Sequence, residues 1–255
     1  MGEYWWLYVW CAWMGFNLLA LAVYPTFIAP LFNKFTPLED STLKGRIEEL
    51  LQKCGFHAQG FYVMDGSRRS THGNAYFTGF GKSRRIVFFD TLLARLGHDE
   101  IVAVLAHELG HFKRRHIIQR IVLMAAMSLA GLWLLGWLMD KAWFYNGLGV
   151  ATQGTATALL LFLLVMPVFS FLLQPLMSFY SRRHEFEADA YAAENASAQD
   201  LVRALVKLYN DNAATLTPDP LHSAFYDSHP PAAIRIARLQ GGGNMLNVTT
   251  KRRPA

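Results

Sequence analysis

Three long stretches without Asp, Glu, Lys or Arg dominate the hydrophobic pattern of the chain. They cover residues 4–33, 121–139 and 142–181. A helix needs about 20 predominantly apolar residues to cross the hydrocarbon core of a bilayer. Each stretch is long enough for one such helix, and the pattern predicts membrane spans at residues 4–23, 121–139 and 158–180.

A soluble fold and a cleaved signal peptide both fit these apolar runs less well than membrane spans do. Three buried helices of this length would be hard to cover in a soluble chain of 255 residues. A signal peptide is a poor match, because only Glu3 is charged before the first run and the apolar core is too long. We therefore expect a multi-pass membrane protein.

The predicted spans divide the chain into four parts. Residues 1–33 hold the first span and its juxtamembrane end, and residues 121–181 hold the other two spans with a short connection. Residues 34–120 and 182–255 are polar. Because two crossings separate these polar parts, we expect both on the same side of the membrane.

The distribution of positive charge predicts which side that is. Of the 24 Lys and Arg residues, 23 lie in the two polar parts, and Lys141 is the remaining one. Lys and Arg close to membrane ends favour the cytosolic side. We predict that both polar parts are cytosolic, and that the protein belongs to the bacterial inner membrane rather than to the endoplasmic reticulum.

Composition narrows the class of protein further. Charged residues make up 17% of the chain, against about a quarter in soluble domains. The aromatic content of 14% excludes a disordered chain, and two cysteines exclude a disulfide scaffold. The net charge of +5 could indicate a nucleic-acid partner, but no basic stripe interleaved with aromatic residues is visible. Membrane topology explains the charge instead.

The first polar part is predicted to be a small α+β unit. Hydrophobic spacing predicts a helix over residues 40–54, and short apolar runs predict strands at residues 60–64 and 86–89. A further extended piece is expected at residues 74–80. A second helix is predicted to begin at residue 98 or 99 and to continue through residue 112.

That second helix carries the motif His-Glu-Leu-Gly-His at residues 107–111. Residues four positions apart lie on one helix face, so His107 and His111 can bind one zinc ion. Glu108 is turned about 100° around the axis, where it can reach a zinc-bound water instead of the metal. A surface helix with two chance histidines is the alternative, but the preceding apolar residues indicate a buried setting.

A catalytic zinc site needs a third protein ligand, and the sequence offers several. His116 misses the metzincin spacing and lies on a different face of the predicted helix, so we expect a capping or surface residue. His184 and Glu185 follow the third span, and Glu185 is predicted to begin a new helix. Asp189, one turn later, could orient a metal-binding histidine. A solvated acidic face is the alternative for this stretch.

Four groups of residues, taken together, resemble one family. This family is the integral-membrane zinc endopeptidases that include the CaaX prenyl protease type 1 and the bacterial heat-shock protease HtpX. The groups are residues 107–111; residues 181–189, similar to the family's Glu-x-x-Ala-Asp motif; residues 65–70 with 74–77 and 85–93; and residues 228–231 with Arg235. In addition, residues 24–35 are typical of the CaaX-protease branch rather than of HtpX.

The resemblance implies a mainly α fold. Multi-pass membrane helices would carry a small α+β zincin-like (gluzincin) catalytic domain on one side of the membrane. It also implies that His107, His111 and Glu185 bind one zinc ion, that Glu108 is the general base, and that Asp189 supports the site.

The same resemblance implies further site residues. His229 and Arg235 would lie on the substrate side of the zinc and stabilise a tetrahedral oxyanion. A loop end and a surface helix residue are the alternatives for these two. Asn74 and Ala75 correspond to a strand that pairs with the substrate backbone. An ordinary turn followed by a strand is favoured for them unless a free sheet edge that faces the zinc is found.

These expectations describe a zinc-dependent endopeptidase of the lipid bilayer that hydrolyses peptide or membrane-protein substrates. Complete CaaX-type members carry several more membrane helices before the region that matches Tyr4, so the chain resembles their C-terminal catalytic portion and substrate choice stays open. The alternatives are a zinc-binding but proteolytically inactive membrane protein or fragment, an HtpX-like quality-control protease, and a scaffold with a vestigial motif. The intact Glu108 counts against the last of these.

Overall fold

A computed structural model describes residues 2–78, 85–211 and 218–249 of the chain. The helices within these ranges are α1 (Trp5–Val23), α2 (Ala29–Phe32), α3 (Ser41–Cys54), α4 (Asp90–Arg95), α5 (His98–Lys113), α6 (His116–Leu138), α7 (Ala142–Gly147), α8 (Thr155–Asn195), α9 (Ala198–Asp211), α10 (Pro220–Tyr226) and α11 (Ala232–Thr249). The strands are β1 (Phe35–Pro37), β2 (Gly60–Met64), β3 (Ala75–Thr78) and β4 (Arg85–Phe89). A π-helical turn at Tyr24–Ile28 joins α1 to α2, and a 3₁₀ turn occupies Gly66–Arg68.

The chain forms two compact units. A helical unit comprises Met1–Val23 and Ile117–Met177, and an α+β unit comprises Tyr24–His116 and Ser178–Ala255. The second unit therefore combines two stretches that lie far apart in sequence.

Three helical segments among the described residues are long and apolar enough to cross a bilayer. They are Trp5–Phe32, His116–Leu138 and Thr155–Asn195. Apart from the terminal residues Tyr4 and Met139, each predicted span falls within one of these segments. The expectation that a new helix begins at Glu185 is wrong, because α8 continues to Asn195. The charged and polar residues after the apolar stretch are mostly good helix formers, and neither Gly nor Pro interrupts them.

The helical unit is held together by a small cluster and by one indole. Buried Leu135, Phe144 and Tyr145 pack with apolar residues of α8. The Trp10 indole Nε1 donates to Ala125 O at 3.0 Å, which ties α1 to α6. Many large apolar side chains of α8 remain exposed along the helix, as expected of a surface that faces lipid.

Helix α3 shows how local sequence sets the boundaries in the α+β unit. The Asp40 carboxylate accepts a hydrogen bond from Leu43 N, so Asp40 caps the first turn. Gly55 ends the helix with a φ of 68°, a left-handed conformation that favours glycine. The predicted helix at residues 40–54 is confirmed.

The α+β unit also contains a four-stranded sheet with the strand order β1-β2-β4-β3. Strands β2 and β4 are parallel, whereas β1 and β3 pair antiparallel to their neighbours. The strands expected at residues 60–64 and 86–89 are confirmed. The extended piece expected at residues 74–80 is β3, although residues 79 and 80 lie outside the described ranges.

Helix α5 packs into the α+β core, so the motif at residues 107–111 follows buried residues of the core. Leu105, Ala106 and Leu109 are fully buried in a cluster with α3, the sheet and α9. Glu100 fixes the start of α5, because its Oε2 accepts from Gly97 N at 2.7 Å and from Lys207 Nζ at 2.7 Å. The predicted second helix is confirmed, while α9 was not predicted.

Candidate metal centre

Three side chains from two helices bring their donor atoms together in the α+β unit. His107 and His111 come from one face of α5, and Glu185 comes from α8. The two histidine Nε2 atoms are 3.2 Å apart. His107 Nε2 lies 3.6 Å from Glu185 Oε2, and His111 Nε2 lies 3.4 Å from Glu185 Oε1. The shortest contacts between the three residues are thus 3.2–3.6 Å and involve both Glu185 oxygens, whereas one ligand atom from each residue gives a set that lies within 4.8 Å.

These separations match those of a tetrahedral zinc site. With metal–ligand distances of about 2.0–2.2 Å, two ligands of a tetrahedral zinc ion lie about 3.3–3.6 Å apart. Two imidazoles and one carboxylate are also a donor set that catalytic zinc sites use. His107, His111 and Glu185 could therefore hold a zinc ion with little rearrangement.

A glycine within the motif allows α8 to approach α5. A Cβ atom added at Gly110 would lie 2.9 Å from Ala188 Cα and 3.1 Å from Tyr191 Cβ. Contacts this short are repulsive, since carbon atoms pack best at about 3.5–4.0 Å. The absence of a side chain at Gly110 thus brings Glu185, one turn before Ala188, to the two histidines.

Glu108 lies on α5 but outside the donor cluster, as the helical geometry predicts. Burial raises the pKa of the Glu108 carboxyl, and positive charge on His107 or His111 opposes this rise. A carboxyl in such a setting is better suited to exchange protons near neutral pH than an exposed glutamate.

The second ring nitrogen of His107 contacts a buried ion pair. His107 Nδ1 lies 2.9 Å from Asp189 Oδ1. Arg235 donates to the same carboxylate twice, through Nε at 2.8 Å and Nη2 at 2.6 Å. Burial alone would lower the pKa of His107, but its hydrogen bonds with Asp189 and Glu185 raise that pKa to about 9. The surroundings thus favour a positive charge at this position, whether a proton or a metal ion supplies it.

The structure places Arg235 behind the histidines rather than at the surface. Its side chain is 7% exposed, and its Nη1 lies 3.6 Å from Glu185 Oε2. The alternative of a surface helix residue is therefore contradicted. Asp189 is buried as well, which contradicts the alternative of a solvated acidic face at that residue.

His229 lies beside the donor cluster and is open to solvent. Its Nδ1 is 3.1 Å from Glu185 Oε2, and 63% of its side chain is exposed. The following residue anchors this loop, because Tyr209 donates its hydroxyl proton to Pro230 O at 3.1 Å. His229 is thus the most exposed of the histidines around Glu185.

His116 is not the capping or surface residue that was expected. It is 2% exposed, and its Nδ1 lies 2.9 Å from His111 Nδ1. The expectation assumed one continuous helix, but α5 ends at Lys113 and Arg115 adopts a left-handed φ of 58°. This turn redirects the chain and returns His116 to the motif.

His184, the competing candidate for the third ligand, packs against His116 instead. The two imidazole rings are stacked, with centroids 4.0 Å apart and planes 7° from parallel. His116 Nε2 in turn lies 3.2 Å from Glu187 Oε2. This cluster is not predicted by the sequence, whose only signal for it is the recurrence of histidine near both halves of the site.

Asn74 and Ala75 lie at the start of β3, an edge strand of the described sheet. Phe89 N donates to Asn74 O at 2.9 Å. Because hydrogen-bonding directions alternate along an antiparallel strand, the backbone groups of Ala75 and Phe77 point away from β4. The Asn74 side chain accepts from Ala75 N at 2.8 Å. A free sheet edge is therefore present among the described strands.

Comparison with known families covers almost the whole chain. Residues 37–242 match the model of peptidase family M48. Residues 1–34 match a second model, described as the CAAX prenyl protease N-terminal region with five membrane helices.

Individual relatives agree with these matches. The CAAX prenyl protease 1 homolog of Arabidopsis thaliana is 41% identical over 248 residues, which is 94% of this chain and 57% of the relative. CAAX prenyl protease 1 of Saccharomyces cerevisiae is 40% identical over 239 residues, 88% of this chain and 53% of the relative. The chain thus spans little more than half the length of these curated relatives.

A solved structure supports the same grouping at the level of the fold. The crystal structure of S. mikatae Ste24p matches with a TM-score of 0.82 and 39% identity, over 92% of this chain and 58% of that one. The match includes the apolar helices, in agreement with a multi-pass integral membrane protein.

Proposed function

Since the chain belongs to peptidase family M48, whose members are zinc metalloproteases, we propose that it is a zinc-dependent endopeptidase embedded in the membrane. The observation that carries this proposal is the donor cluster of His107, His111 and Glu185, whose separations of 3.2–3.6 Å suit one tetrahedral zinc ion. When bound there, zinc would act as a Lewis acid on the scissile carbonyl and lower the pKa of a water molecule to about 7.

Glu108 is the general base in this proposal. Its carboxylate takes a proton from the attacking water and later delivers that proton to the departing amine. Burial raises the pKa of Glu108, which brings its proton affinity closer to that needed for both transfers. A positioned general base contributes about 100- to 10,000-fold to the rate.

The buried ion pair of Asp189 and Arg235 orients His107. A histidine that offers Nε2 to a metal carries its proton on Nδ1, and Asp189 accepts a hydrogen bond from that position. Because Arg235 donates to Asp189 twice, its geometry favours a positioning role over the direct contact with an oxyanion that the family resemblance implies.

His229 remains the candidate donor to the oxyanion. With Nδ1 donating to Glu185 Oε2, its Nε2 can donate to a substrate oxygen when the imidazole is protonated. Preorganised donors of this kind typically contribute about 100- to 1,000-fold.

We also propose that the substrate adds as a strand along β3. The outward backbone groups of Ala75 and Phe77 provide donors and acceptors for an extended peptide, and Asn74 would give way at Ala75 N. An edge strand beside the helix that carries the motif is consistent with the zincin-like (gluzincin) domain that the family resemblance implies.

The proposed substrates are peptides or membrane proteins. The relatives are CAAX prenyl proteases by name, which makes prenylated proteins one class to test. Because 23 of 24 Lys and Arg residues fall in the two polar parts, we propose that the catalytic side is cytosolic. We separately propose a bacterial inner membrane rather than the endoplasmic reticulum as its location.

The proposal is tested by separating metal binding from hydrolysis. The parent chain and Glu108→Gln are purified in detergent, their zinc content is measured, and cleavage of a quenched peptide is followed with and without a chelator. We expect about one zinc per chain in both proteins and hydrolysis only by the parent, because the amide cannot accept the proton. Cleavage by Glu108→Gln at the parent rate would refute the mechanism. A zinc-loaded but silent parent would support the inactive zinc-binding alternative.

A further inference from the structure

The Nδ1 atom of His111, which faces away from the donor cluster, contacts a histidine, whereas Nδ1 of His107 contacts a carboxylate. His111 Nε2 faces the donor cluster, and His111 Nδ1 lies 2.9 Å from His116 Nδ1. His116 Nε2 lies 3.2 Å from Glu187 Oε2, and Arg183 Nε donates to Glu187 Oε1 at 2.9 Å. A series of polar contacts therefore connects His111, through the buried His116 imidazole, to the ion pair of Glu187 and Arg183.

Metal binding at His111 would fix the direction of each hydrogen bond in the series from His111 through His116 to Glu187. If Nε2 of His111 offers its lone pair to zinc, Nδ1 carries the proton and must donate to His116 Nδ1. His116 then carries its own proton on Nε2 and donates it to Glu187. In this arrangement each nitrogen has one defined role.

We propose that His116 is a positioning residue that selects the zinc-binding tautomer and orientation of His111. The inference rests on the proposed zinc site. Metal-binding histidines usually donate their second N–H to a carboxylate, a carbonyl or water, and loss of that partner weakens metal binding about 10- to 100-fold. Here a neutral imidazole takes this place, and stacking on His184 holds its ring plane.

Two substitutions separate positioning from packing. His116→Phe keeps a ring that can stack on His184 but removes the acceptor. His116→Asn loses the ring but places an amide oxygen near the former Nδ1. The exposed His222, which contacts Tyr226, provides the matched control substitutions His222→Phe and His222→Asn. Zinc affinity is measured by competition with a chromophoric chelator, and the Co²⁺-substituted proteins are compared by visible absorption.

We expect His116→Phe to bind zinc about 10- to 100-fold more weakly and to change the Co²⁺ spectrum. His116→Asn should recover most of the affinity, and the His222 variants should match the parent. A parent-like affinity and spectrum in His116→Phe would overturn the inference, as would equal losses in both His116 variants. If His116→Phe does not fold, restoration of the Co²⁺ spectrum of His116→Ala by added imidazole decides the question, and no restoration counts against positioning. A parent that binds no metal would instead refute the proposed function.

A separate feature of the α+β unit is a pocket of about 540 Å³ formed by α8, α11 and the end of α5. Four arginines and one carboxylate line it together with aromatic rings. The charged lining residues are Arg114, Arg182, Arg183, Glu187 and Arg238. An excess of guanidinium groups in one pocket predicts an anionic ligand.

Neighbouring groups hold two of these arginines in place. Arg182 Nη1 donates to Ser223 O at 2.8 Å and to Asp227 O at 3.2 Å. The Arg238 guanidinium lies over the Phe186 ring, 4.1 Å from its centroid. Arginines that are fixed before binding lose little conformational entropy when they form paired hydrogen bonds with phosphate oxygens.

The position of the pocket along α8 indicates where the phosphate comes from. Arg182 is the first charged residue after the apolar stretch at residues 142–181, so it follows the membrane-spanning part of the helix directly. Lipid headgroups lie at this level, and basic pockets there bind anionic headgroups. We infer that the pocket binds the phosphate of an anionic phospholipid.

The test compares two sources of phosphate and two arginine variants. The parent, Arg238→Gln and the control Arg115→Gln, an exposed neighbour of the pocket, are placed in nanodiscs of phosphatidylcholine with and without phosphatidylglycerol. Lipid binding is measured by native mass spectrometry, and inorganic phosphate is titrated in detergent. We expect selective retention of phosphatidylglycerol by the parent and Arg115→Gln, and at least a fivefold loss in Arg238→Gln. Equal retention of both lipids, or equal losses in both variants, would overturn the inference. Saturation by inorganic phosphate without lipid selectivity would assign the pocket to a soluble anion and overturn the lipid as ligand.

Discussion

A single methyl group at Gly110 should separate the two helices that form the metal centre. In Gly110→Ala the new Cβ would lie 2.9 Å from Ala188 Cα, whereas carbon atoms pack best at about 3.5–4.0 Å. Relief of this contact requires the helix backbones to move apart by about 0.6–1.1 Å. Metal sites tolerate deviations of only about 0.2 Å in ligand distance. The displacement would therefore disturb the position of Glu185 relative to His107 and His111.

The expected energies follow from two opposing contributions. Replacement of glycine by alanine in a helix interior gains about 1 kcal/mol, and overpacking costs about 1–3 kcal/mol. We therefore expect Gly110→Ala to lower the free energy of unfolding by about 0–2 kcal/mol. Strain of only 1.4 kcal/mol on the ligands would weaken zinc binding about tenfold.

Gly45 provides the matched control, because the same substitution there meets open space. A Cβ at Gly45, in the interior of α3, has no neighbouring atom within 4 Å. Gly45→Ala should raise stability by up to about 1 kcal/mol and leave zinc affinity unchanged. Zinc affinity is measured by chelator competition, and stability by chemical unfolding in detergent. Zinc affinity of Gly110→Ala within twofold of the parent would refute the argument that this close approach positions Glu185.

Three further predictions concern residues around the site and the core. Asp189→Asn should weaken zinc binding about 10- to 100-fold in a chelator competition, because His107 loses its charged acceptor, and equal affinity would exclude the positioning role. His229→Ala should retain zinc by elemental analysis but lower kcat/KM about 10- to 1,000-fold, and unchanged hydrolysis would remove it from the oxyanion site. Glu100→Gln should reduce stability by about 1 kcal/mol at neutral pH. Hydrogen bonds from Lys207 and Gly97 outweigh the effect of burial and lower the pKa of Glu100. Its stabilising contribution is thus present above the unfolded pKa of about 4.5 and lost as the pH falls through the lower folded value, so parent and variant should converge in acid unfolding curves.

The elements that local sequence determines were predicted well. Asp40 and Gly55 mark the ends of α3 by their own conformational preferences, and the histidine pair follows from helical spacing alone. The apolar runs also located all three candidate spans. In each case the signal lies within one continuous stretch of sequence, so no knowledge of the tertiary fold is required.

Long-range features could not be predicted in the same way. The return of His116 to the motif depends on a left-handed residue at Arg115, which is not a glycine and carries no sequence signal. The burial of Arg235 depends on the meeting of α11 with α8. The change from apolar to charged residues before Glu185 predicts a new helix, but this change of composition does not interrupt α8.

The unbroken course of α8 gives one helix two roles. Its 41 residues extend for about 60 Å, twice the thickness of the hydrocarbon core. The helix is thus too long to lie in hydrocarbon along its whole length, and its charged residues, from Arg182 onward, form one end. One continuous helix therefore carries both the third candidate membrane span and the third donor of the proposed zinc site.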